Sequence, residues 1–282
     1  MERGKALLGD QKYVRARIAF VHARDVCPGD AAALPWMELA TVAAAAETPE
    51  LVHDGNINEI DYVAAILLER FPEYRHLLKT AQGNVQARAG KNAEAVELYR
   101  AALEAKPDYV PAQYFQAQVL VAMKRSGDAE AVLRTATKTN RSHVPSQELL
   151  ARMLAARGSL DEAQEILHQS IAANPAASTH VLLGDVARAR HKPVDAAASF
   201  KAALDMKPDH APALLALGGL LLDEGKAKEA AGLLAQYVEV AAQQGEPAAR
   251  IADARRVLTQ LQSAPAAEPP RVEDPARGTG KR

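Results

Sequence analysis

The sequence predicts an all-α chain built as a solenoid of helix-turn-helix repeats, and three observations carry that reading. Hydrophobic residues make up 48% of the chain but aromatics only 4%, and the apolar content is mostly Ala and Leu, which favour helix over strand. A series of small and large residues recurs at a nearly constant interval. Helix breakers divide each interval in two.

Ala95, Ala129, Ala163, Ala196 and Ala230 register the ladder, at spacings of 34, 34, 33 and 34 residues. Four residues after each mark stands a large apolar residue: Tyr99, Leu133, Leu167, Phe200 and Leu234. Seven after stand Ala102, Ala136, Ser170, Ala203 and Tyr237, and twelve before stand Gly83, Ala117, Ala151, Gly184 and Gly218. Offsets of four and seven share one helix face, and small residues let a neighbouring helix approach closely. Pro107, Pro175 and Pro208, twelve residues after their marks, stop the second helix of their units. The two helices of each unit are separated by Gly90-Lys-Asn92, Ser126-Gly-Asp128, Gly158-Ser159, His191-Lys-Pro193 and Gly225-Lys226. Ser159 with Glu162 has the pattern of a capping box.

This series resembles the tetratricopeptide repeat family. Val144 to Ala177 matches it best, with Leu150-Ala151, Leu154, Gly158, Ala163, Leu167 and Pro175. Five units are expected at about 76–109, 110–143, 144–176, 177–210 and 211–244. The resemblance implies a right-handed superhelical solenoid in which the first helix of each unit lines a concave groove that holds an extended peptide or a partner helix.

Residues 1–75 read as divergent repeats of the same kind. Gly4, Ala16, Phe20, Ala23 and Pro28 reproduce the ladder in a first unit that lacks the start of its first helix. That unit is either a shortened repeat or the end of one that begins upstream. A second unit pairs a helix over Ala32–Ala46 with one over Ile60–Phe71, using Ala64, Leu68 and Phe71 as its ladder, with Asn58 as its cap. The connection over 47–58 is too long for a repeat turn and should bulge from one rim. Ile251, Ala254, Leu258 and Leu261 share a face and predict a capping helix over 246–262. Residues 263–282, rich in Pro and Ala, read as a disordered tail.

Carrying the family geometry onto the first helices gives a candidate partner-binding stripe: Thr80, Asn84, Arg88, Tyr114, Gln118, Glu148, Arg152, Asp185 and Arg188. These polar side chains could bond a peptide backbone and pair with charges, although any solvated helix face is also polar. The final repeat has Leu215 and Leu222 there instead. Family members that grip a C-terminal carboxylate set basic residues beside paired asparagines. Here only Asn84 and the arginines match, so that specificity is not expected.

Other chemistry is weakly represented. The 34 basic and 35 acidic residues leave a net charge of -1, which argues against nucleic acid as a partner. Cys27 is the single cysteine, so no intramolecular disulfide forms, and it reads as structural. The eight histidines lack the paired spacing of a helical zinc site. Asp54-Gly-Asn56-Ile-Asn58 begins like a calcium loop, but Glu59 replaces the turn glycine and Ala65 the bidentate carboxylate. No phosphate-cradling loop occurs, and no cofactor is expected. The N-terminus has no secretory apolar run and no stretch is long enough for a membrane span. A cytoplasmic location is therefore expected, or an envelope location if a signal lies upstream.

The functional expectation is a non-catalytic scaffold for another protein or peptide, in keeping with bacterial assemblies of envelope, secretion or motility machines. The alternative is a regulatory or oligomerising subunit whose catalytic partner is another chain. Pairing of two copies through the terminal repeats is left open.

Overall fold

A computed structural model describes residues 1–10, 12–26, 33–53 and 55–263. The expectations for Cys27, Pro28, Asp54 and the tail beyond Ser263 fall outside the described residues. Those residues form α-helices and 3₁₀ turns with no strand among them, so the fold class is all-α. The chain divides into two compact units, Met1–Leu182 and Leu183–Arg282.

The first unit contains α1 (Glu2–Gly9), α2 (Tyr13–Val26), α3 (Ala33–Glu47), α4 (Ile57–Arg70), α5 (Arg75–Arg88), α6 (Asn92–Ala105), α7 (Val110–Ala122), α8 (Ser126–Thr139), α9 (Val144–Ala156) and α10 (Leu160–Ala173). It ends within α11 (Ala177–Ala189). From α5 to α10 the helices alternate, and each packs on the next in sequence. This is how a solenoid buries apolar faces that no single repeat could bury alone. Prolines occupy the first turns of α7 and α9, where the missing amide proton would have had no helical acceptor.

Two local devices fix the repeat. Gly83 sits so close to Tyr99 that a Cβ there would meet the ring at 2.5 Å, and Gly4 stands in the same relation to Phe20 at 2.4 Å. The pair α1 and α2 therefore has the same close approach of helices as the regular units. The interhelical turn needs a left-handed residue: Gly90 has φ 75° and Gly158 φ 87°, while Lys124 takes φ 60° in the intervening turn. A side chain in that region costs about 1–2 kcal/mol. The sequence suggests the turn at Ser126-Gly-Asp128, but helix α8 has already begun at Ser126.

The capping box at Ser159 does not close. Ser159 is the N-cap of α10, yet its side chain makes no cap bond, and its hydroxyl accepts from Arg157 Nε at 3.3 Å. Arg157 instead joins α9 to its neighbours through charge. It reaches Glu130 at 2.6 Å, which also binds Arg134 at 2.8 Å, and Arg134 binds Glu162 at 2.6 Å.

The upstream half of this unit departs most from the repeat. Helix α3 is buried almost all round, from Leu39 to Ala46, as expected for a helix apolar on every side. It packs on α2 and α5 more extensively than on α4. Trp36 links its start to Phe20 and Phe71, with ring centroids 6.2 and 4.7 Å away. The buried face of α4 is Ile60, Ala64 and Leu67, and Leu68 is only half-buried. Asn56, not Asn58, precedes the helix.

The long connection does not bulge outward. Val52 is fully buried, Pro49–Leu51 forms a 3₁₀ turn, and the Asn56 side chain ties the loop by accepting from the His53 amide and donating to the Leu51 carbonyl, both at 2.8 Å. Short-range polar closure and one apolar anchor fold the insertion back on the array.

The second unit contains the end of α11, then α12 (Pro193–Met206), α13 (Ala211–Asp223), α14 (Ala227–Gln243) and α15 (Ala248–Ser263). Gly184 and Phe200 repeat the close approach at 2.4 Å. His191 adopts φ 57° and Gly225 φ 75° in the two turns. Helix α15 buries Ile251 and Ala254 against Ala211, Leu214, Tyr237 and Ala241, with Leu215 packed at the edge. The terminal helix thus covers apolar surface that would otherwise end the array exposed.

Candidate functional site

The nine stripe residues fall on first helices, but the structure gives them unlike environments. Thr80 and Asn84 on α5 are buried, at 0% and 4% exposure. Thr80 Oγ1 donates to the His76 carbonyl at 2.6 Å. Asn84 Nδ2 donates to Ala45 O at 2.8 Å and Ala46 O at 3.4 Å, and Asn84 Oδ1 accepts from Tyr99 at 2.8 Å. The end of α3 lies on this face, and Asn84 satisfies carbonyls of its last turn that have no intrahelical donor. These two residues hold the upstream repeat in place and present nothing to a ligand. Arg88, at the end of α5, is exposed.

Beyond α3 the insertion continues onto α7. The half-buried Glu47 accepts from Tyr109 at 3.2 Å across 62 residues of sequence. Burial raises the Glu47 carboxyl above its ordinary range, the Tyr109 bond and Lys106 opposing it. Burial also raises Tyr109 well above a free phenol, reinforced by the Glu47 charge. Tyr109 is thus a neutral phenol at neutral pH, the form that donates to Glu47. His76 packs edge-on against Tyr109 at 4.9 Å, and its imidazole falls to about 4, chiefly through burial and then through Lys106.

The folded insertion forms one wall of an open cleft of about 710 Å³. Glu47, Pro49 and Glu50 face Tyr109, Tyr114 and Phe115 of the α7 region and Asn140 and His143 ahead of α9. Tyr114 is half-buried and packs against His143 with ring centroids 5.6 Å apart. Its phenol is raised by burial and then by the charges of Glu148 and Glu50, with Arg152 acting the other way. It accepts from Gln118 Nε2 at 2.8 Å. The His143 ring nitrogen bonds Ser146 Oγ at 2.8 Å, and burial lowers its pKa.

Four stripe residues therefore come together: Tyr114 and Gln118 on α7, Glu148 and Arg152 on α9. Glu148 is already engaged, accepting from Ser178 at 2.6 Å and Thr179 at 2.8 Å. Gln118 and Arg152 are exposed. Asp185 and Arg188 belong to the second unit, where they pair with each other at 3.0 Å one turn apart.

The sequence reading missed Glu47, Glu50, Tyr109 and His143. Tyr109 and His143 carried a usable signal, since each stands five residues before a stripe member in the same register. The glutamates carried none, because their place depends on how the insertion folds. Among the described residues no group of three or more His, Cys, Asp or Glu could hold a metal, and no helix is long and apolar enough to cross a membrane.

A tetratricopeptide repeat profile matches residues 86–153 and 187–254. No curated protein sequence matches the chain. Among solved structures, a chain of the APC/C hetero-tetramer Cut9–Hcn1 is similar over 92% of this chain and 52% of its own, at 16% identity and TM-score 0.58. PilW, described as a widely conserved type IV pilus biogenesis factor, is similar over 66% of this chain and 90% of its own, at 17% identity and TM-score 0.54. Pseudomonas aeruginosa PilF is similar over 66% and 88%, at 19% identity and TM-score 0.53. At these identities the likeness is one of fold.

Proposed function

Because the chain belongs to the tetratricopeptide repeat family, we propose that it is a non-catalytic scaffold that holds a segment of another protein on the first-helix face of α7 and α9. The observation that carries this is the grouping of Tyr114, Gln118 and Arg152 beside a cleft that the insertion closes on one side only. An aromatic side chain that is half-buried, flanked by an exposed amide and an exposed guanidinium, has the composition of a protein-binding hot spot. The buried α5 face cannot take part, so a bound segment starts at the cleft and runs toward Arg152. The likeness to PilW and PilF is compatible with a role in assembling a bacterial envelope machine.

The test is affinity capture with the wild-type chain and with a Tyr114→Ala, Arg152→Ala double variant, followed by titration of each captured protein. Partners held at this face should bind the double variant at least about tenfold more weakly. An unchanged partner list with unchanged affinities would remove α7 and α9 as the binding face.

A further inference from the structure

A second recess in the first unit, of about 570 Å³, lies between the second helices α8 and α10 at the foot of α9. At its base is Gln147, 3% exposed. The Gln147 Oε1 is buried without a partner, and no hydrogen bond to its amide nitrogen is formed either among the described residues. Gln113 holds the same register one repeat earlier, 34 residues away. Its Oε1 is likewise buried without a partner, but its Nε2 donates to the Pro107 carbonyl at 2.8 Å. The corresponding carbonyl for Gln147 belongs to Arg141, and that bond is not made. A buried amide oxygen with no donor is a cost to the fold, and an apolar residue would serve α9 better if stability alone decided.

The walls indicate what would satisfy it. Lys138 and Arg141 are exposed, stand on one side of the recess, and take part in no ion pair among the described residues. Ile166, Ala172 and Ala173 of α10 form an apolar side, and no carboxylate lines the recess. The last turns of α8 and α10 end here, and their free carbonyls disfavour a bare anion. A peptide backbone supplies both a donor and an acceptor to the amide, while an acidic side chain meets the two cations.

We propose that this recess is a second binding site, separate from the α7 and α9 face, for an extended peptide segment that carries an acidic residue. Gln147 pairs with a backbone amide of the segment, and Lys138 and Arg141 take its carboxylate.

The test uses the full chain in a selection from a displayed library of random short peptides. Enriched peptides are then synthesised and titrated against the wild type, Gln147→Leu, Arg141→Glu and the Tyr114→Ala, Arg152→Ala double variant. The expected result is a class of acidic peptides that bind Gln147→Leu and Arg141→Glu at least about tenfold more weakly, lose affinity in added salt, and bind the double variant as they bind the wild type. Gln147→Leu should also melt no lower than the wild type, because it removes an unpaired buried amide. The proposal is overturned if no acidic class is enriched, if its affinity survives both recess substitutions, if it is lost in the double variant, or if Gln147→Leu lowers the melting temperature. Failure of the α7 and α9 face alone leaves this outcome untouched, since the two sets of variants share no residue.

Discussion

Helices α5 and α9 are both first helices of their repeats, and Asn84 and Arg152 occupy the same position on them, yet one is covered and the other open. Asn84 is locked between the last carbonyls of α3 and the Tyr99 hydroxyl. Arg152 is exposed. The repeat register specifies the direction a side chain takes from its helix. What meets it there is decided by the neighbour, and the neighbour of α5 is an irregular helix followed by an insertion.

The sharpest way to break the comparison is to substitute the two positions alike. Asn84→Leu strands the Tyr99 hydroxyl and the end of α3 and should cost about 2–4 kcal/mol, read by denaturant unfolding. A cost near zero would mean that α3 does not rest on α5. Gly83→Ala tests the other side of the same helix. Its Cβ would press on the Tyr99 ring, which is itself held by Asn84 and cannot swing away, so a loss of about 1–3 kcal/mol is expected.

Titration separates the covered region from the open one. His76 has a folded pKa of about 4 against an ordinary 6.5. A depressed imidazole means that the unfolded chain binds more protons between those values, so stability present above pH 6.5 is lost as pH falls toward 4. The expected loss is about 1–2 kcal/mol, discounted for partial exposure. Glu47 runs the other way: its raised carboxyl stabilises below its unfolded pKa and gives that up as pH rises through the folded value. Unfolding of His76→Asn across pH 4–7 should therefore show a flatter acid limb than the wild type, and an identical limb would place the proton uptake elsewhere.

Much of this fold was legible in the sequence, and the reason is physical. Gly4, Gly83 and Gly184 are glycines because a ring fills the space of a Cβ, so a tiny residue sixteen positions before an aromatic reports a contact directly. The turn at Lys124 was misplaced because Ser126-Gly-Asp128 carries stronger local turn chemistry than the residue that takes the left-handed conformation. The exposed or half-buried positions Tyr114, Gln118 and Arg152 were reached by carrying the family geometry onto the first helices of the repeat. The covered half did not, because Glu47 meets Tyr109 across 62 residues, and nothing local to either residue encodes that meeting.

The smallest expected effect is also the most discriminating. Arg152→Ala removes a side chain whose end makes no hydrogen bond among the described residues, so its effect on stability should stay within about 0.5 kcal/mol. Its effect on a segment bound along α7 and α9 should be far larger than that, since an arginine beside a half-buried tyrosine at an interface contributes through charge and through its flat guanidinium. Measured together with Asn84→Leu, it should give the reverse pattern: stability lost without a specific change in affinity at position 84, affinity lost without a change in stability at position 152. If instead Arg152→Ala destabilises the fold as Asn84→Leu does, the α9 face is occupied from within, as the α5 face is, and the contrast between the two helices disappears.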